Sequence, residues 1–117
     1  MSSDLHRSRT LQYLDAYARK DLDDVAALLA EDVVLRDWTI RVVGKAAALA
    51  ETRKNFEAVQ SLVIEVLQLH QSEAAVAAEL RILIDGAQEL FVTDVIAFDA
   101  EGRIAAIRAY VGRGDAS

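Results

Sequence analysis

The chain has 117 residues, of which 53% are hydrophobic and 27% charged, and its formal net charge is −6 at pH 7. This length fits one hydrophobic core, so we expect residues 1–117 to form a single domain. The acidic balance argues against a surface that binds a phosphate backbone, and we expect no nucleic-acid partner. No apolar run reaches the length of a membrane span or of a signal peptide, so we expect a cytoplasmic protein without a membrane partner.

The absence of cysteine excludes disulfides and thiolate catalysis. The two histidines, His6 and His70, are far apart in the sequence and lack the spacing of a metal-ligand motif. We therefore propose no metal site from the sequence.

Residue spacing predicts three helices in the first half of the chain. In the first helix, Tyr13, Leu14 and Tyr17 recur on one side at three- and four-residue intervals, and Asp4 is a candidate cap. Asp21 is a candidate N-cap of the second helix, and a high alanine content indicates the third. The predicted helices cover residues 4–19, the segment from Asp21 to near Ala30, and residues 45–56. Between the last two, β-branched residues predict an extended stretch over 33–37 that continues over 40–43.

The second half of the chain has the pattern of an antiparallel meander. Strands are predicted over residues 59–70, 74–85, 89–98 and 104–112. Asp85-Gly86 is a two-residue hairpin signal, and the turn over 99–102 ends in a glycine that can take positive φ. Three helices before such a sheet predict an α+β fold, in which a cone-like, curled sheet packs on the helices and encloses a pocket.

Asp94 is the most unusual residue of the predicted sheet because it lies in an apolar strand. Burial disfavours a carboxylate and would leave a neutral acid that can donate a hydrogen bond to an oxyanion. The alternative is that Arg108 on the neighbouring strand pairs with Asp94 and keeps it ionised. Its neighbours on the same strand face are Leu90, Val92, Ile96 and Phe98.

Asp37 and the two tyrosines of the first helix are further candidates. Asp37 ends an apolar run and precedes Trp38, so it is either a shielded general base or a turn aspartate that pairs with Arg36 or Arg41. Tyr13 and Tyr17 lie one turn apart, and their rings either pack in the core or present hydroxyl donors to a pocket.

The order of these elements resembles the nuclear transport factor 2-like superfamily, which has a cystatin-like fold, and in particular its ketosteroid isomerase and polyketide cyclase branch. The chain departs from the isomerase pattern at Trp38 and at Thr52. The resemblance rests on Tyr13-Leu14-Asp15-Ala16-Tyr17 with Asp21-Leu22-Asp23, on Glu31-Asp32 through Asp37, on Thr93-Asp94-Val95-Ile96-Ala97-Phe98, and on Gly102-Arg103-Ile104 with Arg108-Ala109-Tyr110.

The resemblance implies an enzyme that needs no cofactor. Asp37 would move a proton between carbons of a small hydrophobic ketone, while Tyr13 and a neutral Asp94 bind the dienolate oxygen. A homodimer is also implied. The other predicted pocket residues are Tyr17, Trp38, Phe56, Val92, Ile96 and Tyr110.

Two other functions remain open at this point. The first is a polyketide-cyclase-like enzyme that performs enolate chemistry on a bulkier substrate. The second is a non-catalytic domain that binds a small ligand or associates with another protein, in which Asp94 pairs with Arg108 and Tyr13 packs in the core.

Overall fold

A computed structural model describes residues 2–115, with the backbone alone for Ser2 and Ser3. Within this range the chain forms three helices and six strands in the predicted order. The helices are α1 (Ser2–Ala18), α2 (Leu22–Leu28) and α3 (Lys45–Ala58). The strands are β1 (Leu29–Arg36), β2 (Arg41–Val43), β3 (Leu62–Gln71), β4 (Ala75–Ile84), β5 (Gln88–Phe98) and β6 (Ile104–Gly112).

The strands form one six-stranded sheet in the order β2-β1-β6-β5-β4-β3. Strands β3 to β6 are the predicted meander, and every neighbouring pair is antiparallel except β1 and β6, which are parallel. The predicted α+β class, with three helices packed on a curled and mostly antiparallel sheet, is confirmed. No helix within residues 2–115 is both long and apolar enough to cross a membrane.

Both predicted hairpin turns of the meander are present. Asp85 and Gly86 have φ angles of 54° and 68°, and the amide of Ala87 donates to the carbonyl of Ile84 at 3.0 Å. Two consecutive positive φ angles define a type I′ turn, whose twist matches that of the flanking strands. In the second turn, Gly102 has a φ of 78° and its amide donates to the carbonyl of Asp99 at 3.0 Å.

The first half of the chain differs from the prediction at its boundaries. Helix α2 ends at Leu28 and not near Ala30, because Leu29 already pairs with Ile104 in the parallel β1–β6 ladder. The extended stretch over 33–43 is not one strand but a hairpin, in which Arg36 pairs with Arg41. Its turn, residues 37–40, connects the end of β1 to the start of β2.

Helices α1 and α3 also extend beyond the predicted limits. Helix α1 begins at Ser2, so Asp4 lies in its first turn and not at its cap, where its charge still favours the helix dipole. Helix α3 continues to Ala58, so β3 begins at Leu62 and not at 59. The Lys20 ammonium stabilises this longer helix, since it donates to the carbonyls of Phe56 at 3.0 Å and Val59 at 2.6 Å.

The hydrophobic core lies between the helices and the inner face of the sheet. Leu80, Ile96 and Ile104 are among its largest fully buried side chains. Tyr13 and Leu80 belong to this core and also line a cavity that continues from it. The fold therefore places an open space directly beside the packed interior.

Candidate active site

The cavity has a volume of about 340 Å³ and opens between the helices and the sheet. This volume is within the usual range for a small-molecule site. Its walls come from α1, the turn over 37–40, α3 and the inner faces of β1 and β3 to β6. Most of the lining is aliphatic, so a polar side chain on this wall stands out chemically.

Asp94 lies on the cavity wall, in the middle of β5. Its partners in register are Ala78 on β4 and Ala109 on β6, whose methyl side chains cannot donate or accept a hydrogen bond. No ion pair or hydrogen bond joins the Asp94 carboxyl to any residue in the described part of the chain. Burial raises its pKa from the ordinary value of 3.8 to about 7.

The alternative pairing of Asp94 with Arg108 is wrong. A register irregularity between β5 and β6 lies between Ala97 and Phe98 and leaves Arg108 paired with Val95. Since neighbouring residues of a strand point to opposite faces, Arg108 and Asp94 are on opposite sides of the sheet. The Arg108 guanidinium therefore does not serve as a counter-ion for Asp94.

Tyr13 reaches the same cavity from α1. Its side chain is 5% exposed, so the ring packs in the core as one alternative predicted. Its hydroxyl makes no hydrogen bond to any residue within 4–115. Burial raises the pKa of Tyr13, with further increases from Tyr17 and from the charge of Asp94. The phenol therefore stays protonated and can donate a hydrogen bond to a ligand.

Asp37 is both a turn aspartate and a cavity residue. Its Oδ1 accepts hydrogen bonds from the Thr39 amide at 2.7 Å, the Thr39 hydroxyl at 2.9 Å and the Ile40 amide at 2.9 Å. These bonds hold the carboxylate in a fixed orientation on the cavity wall. Neither Arg36 nor Arg41 forms the ion pair predicted as one alternative, so within the described residues Oδ2 has no partner.

Three of the six further predicted pocket residues line the cavity: Tyr17, Trp38 and Val92. Trp38 is 50% exposed and stands at the mouth. Phe56, Ile96 and Tyr110 are not among the lining residues. Their positions have separate physical causes.

Phe56 and Ile96 lie in the core and not on the cavity wall. The Phe56 ring packs edge-on against Tyr17, with centroids 4.9 Å apart, and so supports a cavity residue from behind. Ile96 shares the strand face of Asp94 but is fully buried in the part of the core that the helices cover. Tyr110 pairs with Thr93 and points to the outer face of the sheet, where its hydroxyl accepts a hydrogen bond from Arg36 at 2.7 Å.

Sequence reasoning named Thr52 only as a departure from the isomerase pattern and missed the polar stripe of α3 on the cavity wall to which it belongs: Glu51, Thr52 and Asn55. The Thr52 hydroxyl is satisfied by the Ala48 carbonyl at 2.8 Å, and Glu51 pairs with Lys54 at 3.0 Å. The spacing of three and four residues from Ala48 onward was a usable signal, because it places this stripe on one helix face.

The electrostatic character of the cavity is acidic. Its described lining contains three carboxyl groups, those of Asp37, Glu51 and Asp94, and no Lys, Arg or His side chain. Within the described residues, no group of three or more His, Asp or Glu side chains is arranged to hold a metal ion. The arrangement is suited to proton transfer on an uncharged molecule, since one fixed carboxylate faces the same apolar space as two protonated donors.

Comparison with known proteins gives the family. The model of the SnoaL-like domain family matches residues 10–107. The chain is 29% identical over 112 residues to the steroid Delta-isomerase of Nocardioides simplex, and the match covers 93% of this chain and 91% of that protein.

Solved structures show the same fold at low identity. A SnoaL-like protein of unknown function from Burkholderia thailandensis superposes with a TM-score of 0.84 at 18% identity, covering 94% of this chain and 96% of that one. An LEH-like epoxide hydrolase from M. tuberculosis gives a TM-score of 0.78 at 24% identity, with 93% and 84% covered. Together with the family match over most of its length, the sheet topology and cavity establish that this chain belongs to the SnoaL-like family and has the nuclear transport factor 2-like fold.

Proposed function

We propose that this protein is a cofactor-independent isomerase that moves a proton between carbons of a small hydrophobic ketone. The observation that carries the proposal is the unpaired carboxyl of Asp94 in an apolar cavity, with Tyr13 and Asp37 on the same cavity wall. The similarity to a steroid Delta-isomerase over nearly the whole chain supports the same reaction class.

Each of the three groups has one role in the proposed reaction. The Asp37 carboxylate removes a proton from the carbon between the carbonyl and the β,γ double bond of the substrate. The electron pair of the broken C–H bond forms a C=C bond to the carbonyl carbon, and the π pair of the C=O bond moves to the ketone oxygen. The resulting dienolate oxygen accepts hydrogen bonds from the Tyr13 hydroxyl and the protonated Asp94 carboxyl. The protonated Asp37 then returns its proton to the far carbon of the dienolate, which gives the conjugated ketone and restores the carboxylate.

The fixed geometry of Asp37 supports its role as the base. Three donors on Oδ1 hold the carboxylate, while Oδ2 remains available to the substrate. A base that is already oriented needs no reorganisation before proton transfer. Trp38, the next residue in the turn, adds an apolar ring to the cavity lining beside this carboxylate.

Conversion of a β,γ-unsaturated ketone to its conjugated isomer, followed by ultraviolet absorbance, tests this function. We expect Asp37→Asn to lower kcat by about 10² to 10⁴, as expected for loss of a general base. Tyr13→Phe and Asp94→Ala should each lower kcat by about 10² to 10³, since each removes one oxyanion donor.

Asp23→Asn is the matched control for these variants. Asp23 is an exposed residue of α2 outside the cavity lining, and its substitution should leave the rate unchanged. Wild-type protein that binds a phenol but converts no ketone would contradict the isomerase and favour a small-ligand-binding domain. Turnover only of a larger polyketide-like substrate would favour the cyclase alternative.

The raised pKa of Asp94 also predicts how stability depends on pH. Between pH values of about 4 and 7 the folded protein binds a proton at Asp94 that the unfolded chain has released. The free energy of unfolding therefore falls as pH rises through this window, by up to about 4 kcal/mol for this one group. The stabilising proton is fully present below the ordinary pKa and is lost above about 7.

Asp94→Asn removes this dependence because an amide cannot ionise. Urea unfolding of both proteins should show that the variant gains stability relative to wild type as pH rises from about 4 to 8, with little relative gain below that window. A constant difference between the two proteins at all pH values would show that Asp94 is ionised at its ordinary pKa in the folded state.

We also propose that the outer face of the sheet joins two copies of the chain. This face carries exposed apolar side chains, among them Val63, Leu67 and Tyr110. Three acidic residues (Glu65, Glu79 and Glu89) lie on the β3 to β5 side together with one arginine, Arg81, which pairs with Glu65 and Glu89, whereas basic residues (Arg36 and Arg108) lie on the β1 and β6 side. A two-fold axis across the face would bring the acidic side of one copy to the basic side of the other.

Light scattering after gel filtration tests this dimer. The wild-type protein should elute at twice the mass of the chain, and Val63→Asp should shift it to the monomer because it places a charge on the apolar patch. Leu11→Asp, which adds the same charge at an exposed position of α1, should remain dimeric. A monomeric wild type at all concentrations would contradict the proposal.

A further inference from the structure

Tyr17 of α1 and Asn55 of α3 form a polar pair that the proposed proton transfer does not use. The Asn55 Nδ2 donates a hydrogen bond to the Tyr17 hydroxyl at 3.0 Å. Both side chains line the cavity, and Asn55 is exposed while Tyr17 is half-buried. The pair is therefore at the end of the cavity that opens to solvent, whereas Tyr13 is buried at the closed end.

The direction of this hydrogen bond determines what Tyr17 can do next. A phenol has a single proton, and because its oxygen already accepts from Asn55, that proton remains to be donated. No acceptor within residues 4–115 is hydrogen-bonded to the Tyr17 hydroxyl. The Asn55 carbonyl oxygen likewise makes no hydrogen bond to those residues. One free donor and one free acceptor thus stand side by side.

The ring of Tyr17 is held in place from two sides. Phe56 contacts it edge-on at 4.9 Å between centroids and 75° between planes, and Tyr13 lies at 5.9 Å and 54°. Tyr17 is one helical turn beyond Tyr13 and more exposed, so the two hydroxyls are offset along the cavity. A ligand oxygen bound by Tyr13 at the closed end leaves Tyr17 to bind a second polar atom.

The charges near this pair limit what that atom can be. Glu51 precedes Asn55 by one turn of α3, and the charges of Asp94 and Asp37, when these groups are ionised, act on the Tyr17 hydroxyl. The described cavity lining has no cationic side chain that would offset a ligand carboxylate or phosphate. An uncharged oxygen is therefore favoured at this position.

We propose that Tyr17 and Asn55 form a second polar subsite, which binds an uncharged hydroxyl or carbonyl oxygen at the end of the substrate remote from the reacting ketone. The assignment of this subsite rests on the proposed isomerase function. It specifies the substrate class as a small hydrophobic ketone with a second oxygen. Tyr17 is the donor, and Asn55 is both an acceptor for the ligand and the positioning residue that directs the Tyr17 proton into the cavity.

Binding of two phenolic probes tests the subsite without relying on turnover. One probe is a naphthol with a single hydroxyl, which mimics the dienolate oxygen, and the other is a dihydroxynaphthalene with its hydroxyls on opposite rings. Titration calorimetry of the wild-type protein should give about 3- to 10-fold tighter binding of the dihydroxy probe, the gain typical of one or two net hydrogen bonds.

Three variants assign this preference to its residues. Tyr17→Phe should reduce the preference to the part that the Asn55 acceptor supplies and leave naphthol binding unchanged. Asn55→Leu should also reduce it, and the double variant should bind the two probes equally. Tyr13→Phe is the same substitution one turn earlier on α1. It should weaken the binding of both probes equally, because Tyr13 lies at the closed end of the cavity.

Two results would overturn the subsite. The first is equal affinity of the wild-type protein for the two probes. The second is an equal loss of affinity for both probes in the Tyr17→Phe variant. That result would mean that Tyr17 supports the shape of the cavity and does not bind the second oxygen. Failure of the isomerase is separate, since it would appear as normal binding of both probes without conversion of any ketone.

Discussion

A carboxyl group without a counter-ion inside an apolar wall is costly, and the arrangement around Asp94 follows from that cost. The strand partners in register with Asp94 are alanines, so the group can neither share its proton with a neighbour nor pair with a cation. Its pKa rises to about 7, and the carboxyl becomes a hydrogen-bond donor over a pH range in which an exposed aspartate is fully ionised. In the proposed reaction Asp94 therefore acts as a hydrogen-bond donor, although aspartate usually supplies a base.

The other polar groups of the cavity are fixed by local structure. Asp37 is oriented by three bonds within its own turn, Tyr13 is packed in the core, and Tyr17 is held between aromatic rings. Because these restraints come from short segments and rigid helices, the polar groups hold their positions without a ligand. In the proposed reaction, such preorganisation would lower the barrier to enolate formation.

Much of this could be predicted from the sequence, for identifiable reasons. The two-residue period of β5 correctly placed Asp94 with Leu90 and Val92, and the meander followed from the Asp85-Gly86 turn. The sheet face to which Tyr110 points could not be predicted. One extra residue between Ile104 and Ala106 in β6 reverses the inward and outward alternation of the β6 side chains relative to β5. The hydrogen bond from Asn55 to Tyr17 was also hidden, since it depends on how α3 packs beside α1, which is a tertiary contact.

We expect Asp94 to be un-ionised in the folded protein at pH values where an ordinary aspartate has lost its proton. The carbon-13 chemical shifts of the aspartate carboxyls, followed by NMR as a function of pH and assigned with Asp94→Asn, measure this directly. We expect the Asp94 resonance to titrate with a midpoint near 7. A midpoint near the ordinary value of 3.8 would contradict the account.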